Sequence, residues 1–364
     1  NPIEIMYKND VYLCNKSNKN IKNDQYEFFE LDNDTFKILD KKNYKNQTIN
    51  ECINLKDYGP DYKDLQEKIS AKPSCFLITY LFGYVPDMDF ICELCNKYDV
   101  PLVEDISQNI GSKYKGKLLG KFGFASFYSA SLTKYVDGYN GAFVLLNSKV
   151  ILNKVSEFTE KLKRPQPKRI KSIILKTFIW NIALNRYFFS YFTFPILYLT
   201  KKFFRSFFEK LLGPSIKFEI NKNLPNYYYE DISNIQCSAI YKYFKDLDKL
   251  IEKRRSYAVK AIKAFKNAEL KYNIESHYDK NLSQTYWQFL ISVVDTESSR
   301  NLLFKNGIET GATKLPNLSE PYNIDLKNAS RLKKNTIFLP LHDYLEEKDY
   351  FRIIKIIVEN GMVP

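Results

Sequence analysis

Four polar side chains in this chain have types and spacing that could do chemistry together. Asp105 and Gln108 lie in Val103-Glu104-Asp105-Ile106-Ser107-Gln108-Asn109-Ile110-Gly111, and Ser129 and Lys134 lie in Ser129-Ala130-Ser131-Leu132-Thr133-Lys134. A lysine amine can add to a carbonyl and then be displaced by a second amine. Once freed, it can move a proton between two neighbouring atoms as a general acid–base. A carboxylate held beside a cationic nitrogen keeps that nitrogen protonated by charge. Singly, each residue has an ordinary explanation: lysines are mostly surface residues, and an aspartate after a strand commonly caps a turn. The setting of the four decides between these readings.

That setting is legible from about residue 62. Tyr62 to Ile69 reads as a short helix, and the apolar run Cys75–Leu81, closed by Gly83, suits a buried strand of a parallel sheet. Asp87-Met88-Asp89 can cap a helix running to Tyr98, with Phe90, Ile91, Leu94 and Cys95 on one face. Val100-Pro101-Leu102-Val103 follows as a second strand, ending in Glu104-Asp105. This is a βαβ unit, and ligands of such sheets bind beyond the carboxyl ends of the strands, where Asp105 stands. Further strands are expected around Ala125–Tyr128 and Ala142–Leu146, with Lys134 in the loop between them. Ser233 to Phe265 has the pattern of a long amphipathic helix. Beyond it, a strand over Tyr286–Val294, a helix near Ser298–Asn306, a strand at Thr336–Leu339 and a helix over 346–360 predict a smaller α/β domain. In the polar first 55 residues only Tyr26–Leu31 reads as a strand. Cys92 and Cys95 form one CxxC without a second pair, which points to core packing. His277 and His342 are too few and too far apart for a metal-ligand set, so no metal site is expected.

The two segments that hold Asp105, Gln108, Ser129 and Lys134 resemble those of the DegT–StrS family of sugar aminotransferases. So do Leu81-Phe82-Gly83, Pro86-Asp87-Met88-Asp89, Gly120-Lys121-Phe122-Gly123, Ser233-Asn234-Ile235-Gln236, Arg254-Arg255, Asn306–Gly311 and Leu339–His342, in the family's order. The resemblance runs from about Asp61 to the C-terminus. It implies an α/β protein of the fold type I class of pyridoxal-phosphate (PLP)-dependent transferases. That fold has a large domain with a mostly parallel sheet (1–225) and a smaller C-terminal α/β domain (226–364). It also implies PLP carried by Lys134, with Asp105 at the ring nitrogen, Gln108 against the ring and Ser129 at the phosphate. The implied activity is transfer of an amino group, with glutamate as donor, to a nucleotide-linked keto-sugar by a homodimer. A related branch that dehydrates sugars has histidine at the lysine position, which Lys134 argues against. Residues 1–60 lack the family's Ser-Gly-Thr-like phosphate turn and its ring-stacking aromatic. That departure keeps a second reading open, a non-catalytic protein of the same fold that binds a membrane or partner.

The net charge of +13 is concentrated in one place: residues 161–210 carry twelve Lys or Arg against Glu209 alone. The surrounding stretch, about 161–218, is rich in Phe, Tyr, Ile and Leu and reads as a helical insertion. Asn181, Asn185, Arg186 and Pro195 interrupt it, which makes a spanning helix a poor description. Two readings stand side by side: an interfacial segment on an anionic membrane surface, or an insertion packed on the protein itself. A nucleic-acid role is not expected, because no binding fold accompanies the charge. Six scattered cysteines and the absence of a signal-like start indicate a reducing cytoplasm, with the inner membrane face as the place any docking would occur.

Overall fold

The computed structural model describes residues 53–55, 57–73, 75–147, 149–203, 226–270, 282–313 and 326–362. The Tyr26–Leu31 strand, residues 204–218 of the insertion and His277 lie outside these. Helix α1 (Tyr62–Ser70) precedes strand β1 (Phe76–Thr79), helix α2 (Met88–Tyr98) and strand β2 (Leu102–Asp105). Asp87 caps α2, accepting from the amides of Asp89 and Phe90 at 3.1 and 3.2 Å. Met88, Ile91, Leu94 and Cys95 recur at helical spacing and are buried against the sheet. Asp99, in the left-handed conformation at φ 56°, ends the helix. Cys95 is a core residue, and burial pushes the neighbouring Cys92 thiol up to about 11.

After two short strands, β3 (Lys113–Tyr114) and β4 (Lys117–Leu118), come β5 (Ala125–Ala130) and β6 (Gly141–Leu146). The main sheet has the order β1-β2-β5-β6; the first three strands are parallel and β6 is antiparallel to β5. Pairing Thr79 with Asp105 and Asp105 with Phe127 brings the carboxyl ends of the strands into line. Ser129 therefore sits in strand β5 itself, just past the expected Ala125–Tyr128 strand.

Helix α3 (Lys149–Thr159) leads into α4 (Pro167–Ala183), two short helical turns over Arg186–Thr193, and α5 (Phe194–Phe203). Among the described residues no helix is long and apolar enough to cross a membrane. Helix α6 (Asn234–Asn267) starts at a capping box in which Ser233 and Gln236 satisfy each other's backbone. Its first half buries Ile240, Leu247 and Ile251 in the core of the main sheet. Its second half buries Ala258, Ala261, Ile262 and Phe265 in a separate core. That second core is completed by β8 (Phe289–Ser292), α7 (Thr296–Lys305), β9 (Thr336–Leu339) and α9 (Glu347–Glu359); β7 (Leu282–Ser283) and α8 (Lys327–Lys334) complete the chain order. Strand β8 starts three residues later than the apolar pattern predicts, because Tyr286 adopts φ 53° and cannot be extended.

Candidate functional site

Paired residues of a sheet project to the same face, and alternate residues of a strand to opposite faces. Thr79, Asp105, Phe127 and Ser129 consequently share one face, and all are at least partly accessible. Ile78, Glu104, Ser126 and Tyr128 point the other way and are buried. Asp105 ends β2 with its carboxylate already oriented. One oxygen accepts from the amide of Ser107 at 2.9 Å, and the other lies 3.5 Å from the Thr79 hydroxyl. The Ser107 hydroxyl in turn accepts from the amide of Ser129 at 3.0 Å, tying the turn after β2 to β5. Gln108 braces the exit of β1: its Oε1 accepts from the amide of Phe82 at 2.7 Å, at a residue held at φ 61°.

Lys134 lies in the β5–β6 loop, half-buried, directly after Thr133 at φ 81°. A β-branched residue there is strained, a feature that clusters at functional sites. The Lys134 ammonium rests 4.1 Å from the centroid of the Trp287 ring. Burial lowers the amine below the ordinary lysine range, and the negative charge of Asp105 partly opposes this. The amine and the carboxylate therefore feel each other across one site at the carboxyl ends of the strands.

Trp287 belongs to a segment, 283–288, held between helix α6 and the chain after β1 and β5. Its indole N–H donates to the carbonyl of Thr133 at 2.9 Å. Arg254 donates to the carbonyls of Tyr286, Trp287 and Leu341 at 2.9, 2.8 and 2.7 Å. Arg255 donates to those of Gln284 and Ser283 at 2.7 and 3.1 Å, and the Tyr135 hydroxyl donates to that of Thr285. The amides of Thr285 and Gln288 reach the carbonyls of Gly83 and Phe82 at 3.3 and 3.0 Å. Gly83 has to be glycine here, since a Cβ would stand 2.5 Å from the Trp287 nitrogen at a φ of 93°. Sequence reading gave no role to Trp287, Arg254 or Arg255; the adjacent arginines on a helix, followed by a Tyr-Trp-Gln run before an apolar strand, were the available signal.

A second carboxylate, Glu104, is fully buried behind Asp105. It accepts from the Tyr80 hydroxyl and the Gly120 amide on one oxygen, at 2.7 and 2.6 Å. The other oxygen accepts from the Phe122 and Gly123 amides, at 2.7 and 2.6 Å. A cavity of about 420 Å³ lies elsewhere, against β1. It is lined mainly by Leu65, Ile69, Leu77, Ile78, Leu326 and Leu332, and none of the four predicted site residues lines it.

Residues 47–173 match the model of the DegT/DnrJ/EryC1/StrS aminotransferase family. Over that segment the chain is similar to this family. The match starts upstream of Asp61 and covers all four predicted site residues. GDP-perosamine synthase of Escherichia coli O157:H7 is 33% identical over 95 residues, 26% of each chain. A UDP-4-amino-4,6-dideoxy-N-acetyl-beta-L-altrosamine transaminase of Campylobacter jejuni is 31% identical over 109 residues, 29% of each. These alignments span little more than a quarter of the relatives' length. Beyond residue 173 the likeness is carried by the fold. An aminotransferase from Psychrobacter cryohalolentis superposes with a TM-score of 0.59 at 15% identity, covering 85% of this chain and 75% of that one. PseC of Helicobacter pylori gives 0.56 at 17%, covering 85% and 72%. The fold is thus that of the DegT-family aminotransferases, α/β and consistent with fold type I.

At this site the Trp287 ring has a testable effect on Lys134. The ring's negative face favours the ammonium, whereas burial disfavours it. Trp287→Leu keeps the apolar cover and removes the π face, so the lysine should lose its proton more readily. Competitive reductive methylation followed by peptide mass spectrometry should show Lys134 labelling at lower pH than in the wild type. Labelling at an unchanged or higher pH would show that the ring contributes no cation–π stabilisation.

Proposed function

We propose that this protein is a PLP-dependent aminotransferase that transfers an amino group from an amino acid, with glutamate the donor class expected, to a nucleotide-linked keto-sugar. The observation that carries the reading is geometric: the Asp105 carboxylate at the end of β2 and the half-buried Lys134 amine in the loop that leaves the paired strand β5 stand at the same end of the sheet. That donor set fits PLP, which needs an amine for its aldehyde and an anion for its ring nitrogen. When bound, PLP supplies an electron sink for the carbon that loses its proton.

In this reading Lys134 would hold the cofactor covalently and, once displaced, carry the proton between donor carbon and acceptor carbon. Burial helps by raising the fraction of neutral amine near neutral pH. Asp105, fixed by the Ser107 amide, would accept a charge-assisted hydrogen bond from the ring nitrogen. Gln108, whose carbonyl oxygen is engaged by Phe82, would offer its amide nitrogen to the ring. Ser129, on the face of Asp105, would donate its hydroxyl to the phosphate. A homodimer in the cytoplasm, in contact with the inner membrane face through residues 161–218, completes the proposal.

The test is to titrate the purified protein with PLP and follow the absorbance band of the lysine-bound cofactor, then add glutamate and assay 2-oxoglutarate. Asp105→Asn should keep the band but lose turnover by on the order of 10²- to 10³-fold, the scale of a lost electrostatic stabiliser. A protein that shows neither band nor 2-oxoglutarate is the non-catalytic alternative.

A further inference from the structure

More than half of the large apolar side chains exposed among the described residues fall within 175–203. This concentration has a defined geometry. On α4, Ile170 and Thr177 are buried, while Lys168, Lys171, Leu175, Ile179 and Ile182 are exposed and follow one another at helical spacing. The outward stripe is therefore basic at its start and apolar toward its end. Past Ala183 the chain turns, with the Thr193 hydroxyl donating to the Ala183 carbonyl at 2.7 Å. The turn presents Tyr187 and Tyr191 at 66% and 73% exposure, and α5 continues the apolar surface with Ile196 at 60%.

The opposite side of this helical hairpin is already used. Phe194 and Tyr198 pack on the Phe304 ring at 5.0 and 5.9 Å, and Arg186 lies 4.9 Å from the Tyr344 ring. Packing on the protein thus accounts for one side only. The contact also connects the hairpin to the site: Tyr344 stacks on His342, which follows Leu341, whose carbonyl Arg254 holds together with that of Trp287.

We propose that the outward face of residues 168–199 is a docking surface for an anionic phospholipid bilayer, on which the hairpin lies without crossing. Charge decides the occupant. Lys168, Lys171 and Lys176 are exposed and enter no ion pair among the described residues. A second copy seated on this face would bring two strongly cationic segments together, whereas anionic headgroups neutralise them. Apolar and aromatic side chains would enter the headgroup–acyl boundary while the lysines reach the phosphates. The proposal narrows the membrane contact of the preceding reading to named residues, and it stands or falls independently of the catalytic assignment.

Flotation of the full chain with vesicles of 3:1 phosphatidylcholine and phosphatidylglycerol tests it, with Trp180 emission as a second readout. The protein should float, its emission should shift to the blue, and added salt should weaken both. Replacing Lys168, Lys171 and Lys176 together with alanine should weaken partition by on the order of 100-fold, at about fivefold per charge. Leu175→Glu with Tyr191→Glu should abolish flotation while leaving the circular dichroism and the PLP absorbance band of the protein intact. Failure to float overturns the proposal. So does equal flotation of the glutamate variant, or a concentration-dependent dimer that the glutamate variant dissociates in the absence of lipid.

Discussion

On the proposed function, Lys134→Ala is expected to abolish the absorbance band of the lysine-bound cofactor and to reduce amino transfer by on the order of 10⁴-fold or more. The upper range for loss of a positioned acid–base alone is about 10⁴, and the covalent anchor is lost with it. The structure predicts a second, separate consequence. Burial depresses the Lys134 pKa in the folded protein, so folding is opposed wherever the unfolded chain would hold that proton more firmly. The folded pKa lies below the unfolded one, so unfolded chains bind more protons between the two values and stability rises with pH there. Lys134→Met removes the buried charge and keeps the bulk. Without cofactor, this variant should be more stable than the wild type at neutral pH. That advantage should shrink as pH rises through the folded and then the unfolded lysine range. Urea denaturation of both proteins across pH measures it, and an advantage that grows with pH would contradict the burial of the amine.

The parts of this site that could be read from the sequence are those set by local chemistry. Asp87 and the Ser233–Gln236 pair announce helix starts because their side chains satisfy orphan amides within three residues. The apolar runs before Gly83 and Glu104 announce strands of a parallel sheet, but β1 is not the fully buried strand expected: Ile78 is buried while Leu77 and Thr79 are exposed. Once the strands are ordered, Asp105 and Lys134 fall at their ends. What escaped reading depends on contacts far apart in the chain. Trp287 meets Lys134 across more than 150 residues, and nothing near either residue signals the other. Tyr286 looks like the first residue of a strand, but Arg254 of α6 holds its carbonyl in a turned backbone. The long helix reads as one amphipathic unit; that its two halves serve different cores follows only from what packs on each. The insertion's composition left membrane contact and self-packing equally open because both need apolar side chains. In the structure one side of the hairpin packs on Phe304 and Tyr344, and the proposal above assigns the other to the membrane.

Glu104→Ala is expected to have the largest effect on stability of any substitution considered, a loss of about 4 kcal/mol, at the upper end for point mutations. The carboxylate has no exposure, and its four donors, the Tyr80 hydroxyl and the amides of Gly120, Phe122 and Gly123, would all be left without their acceptor. Each unsatisfied buried donor costs about 1–3 kcal/mol, reduced where the turn can relax toward water. Glu104→Gln separates the hydrogen-bond geometry from mere volume. Each oxygen of the carboxylate faces two donors: on one side the amide nitrogen would confront the Phe122 and Gly123 N–H groups, and on the other it could donate to the Tyr80 hydroxyl, which can turn its proton toward Met88 Sδ, but would leave the Gly120 N–H unpaired. The isosteric variant should therefore lose about 2 kcal/mol, as for a buried donor left unpaired. Chemical denaturation with an unchanged m-value would measure both losses. The consequence reaches the site, because Glu104 is bonded to Asp105 through the backbone and pins the turn that feeds β5, the strand before Lys134. In Glu104→Gln, cofactor affinity should fall even where the protein is still fully folded. A glutamine variant as stable as the wild type would mean that the turn at 120–123 is held by its own backbone, and that the buried carboxylate positions nothing.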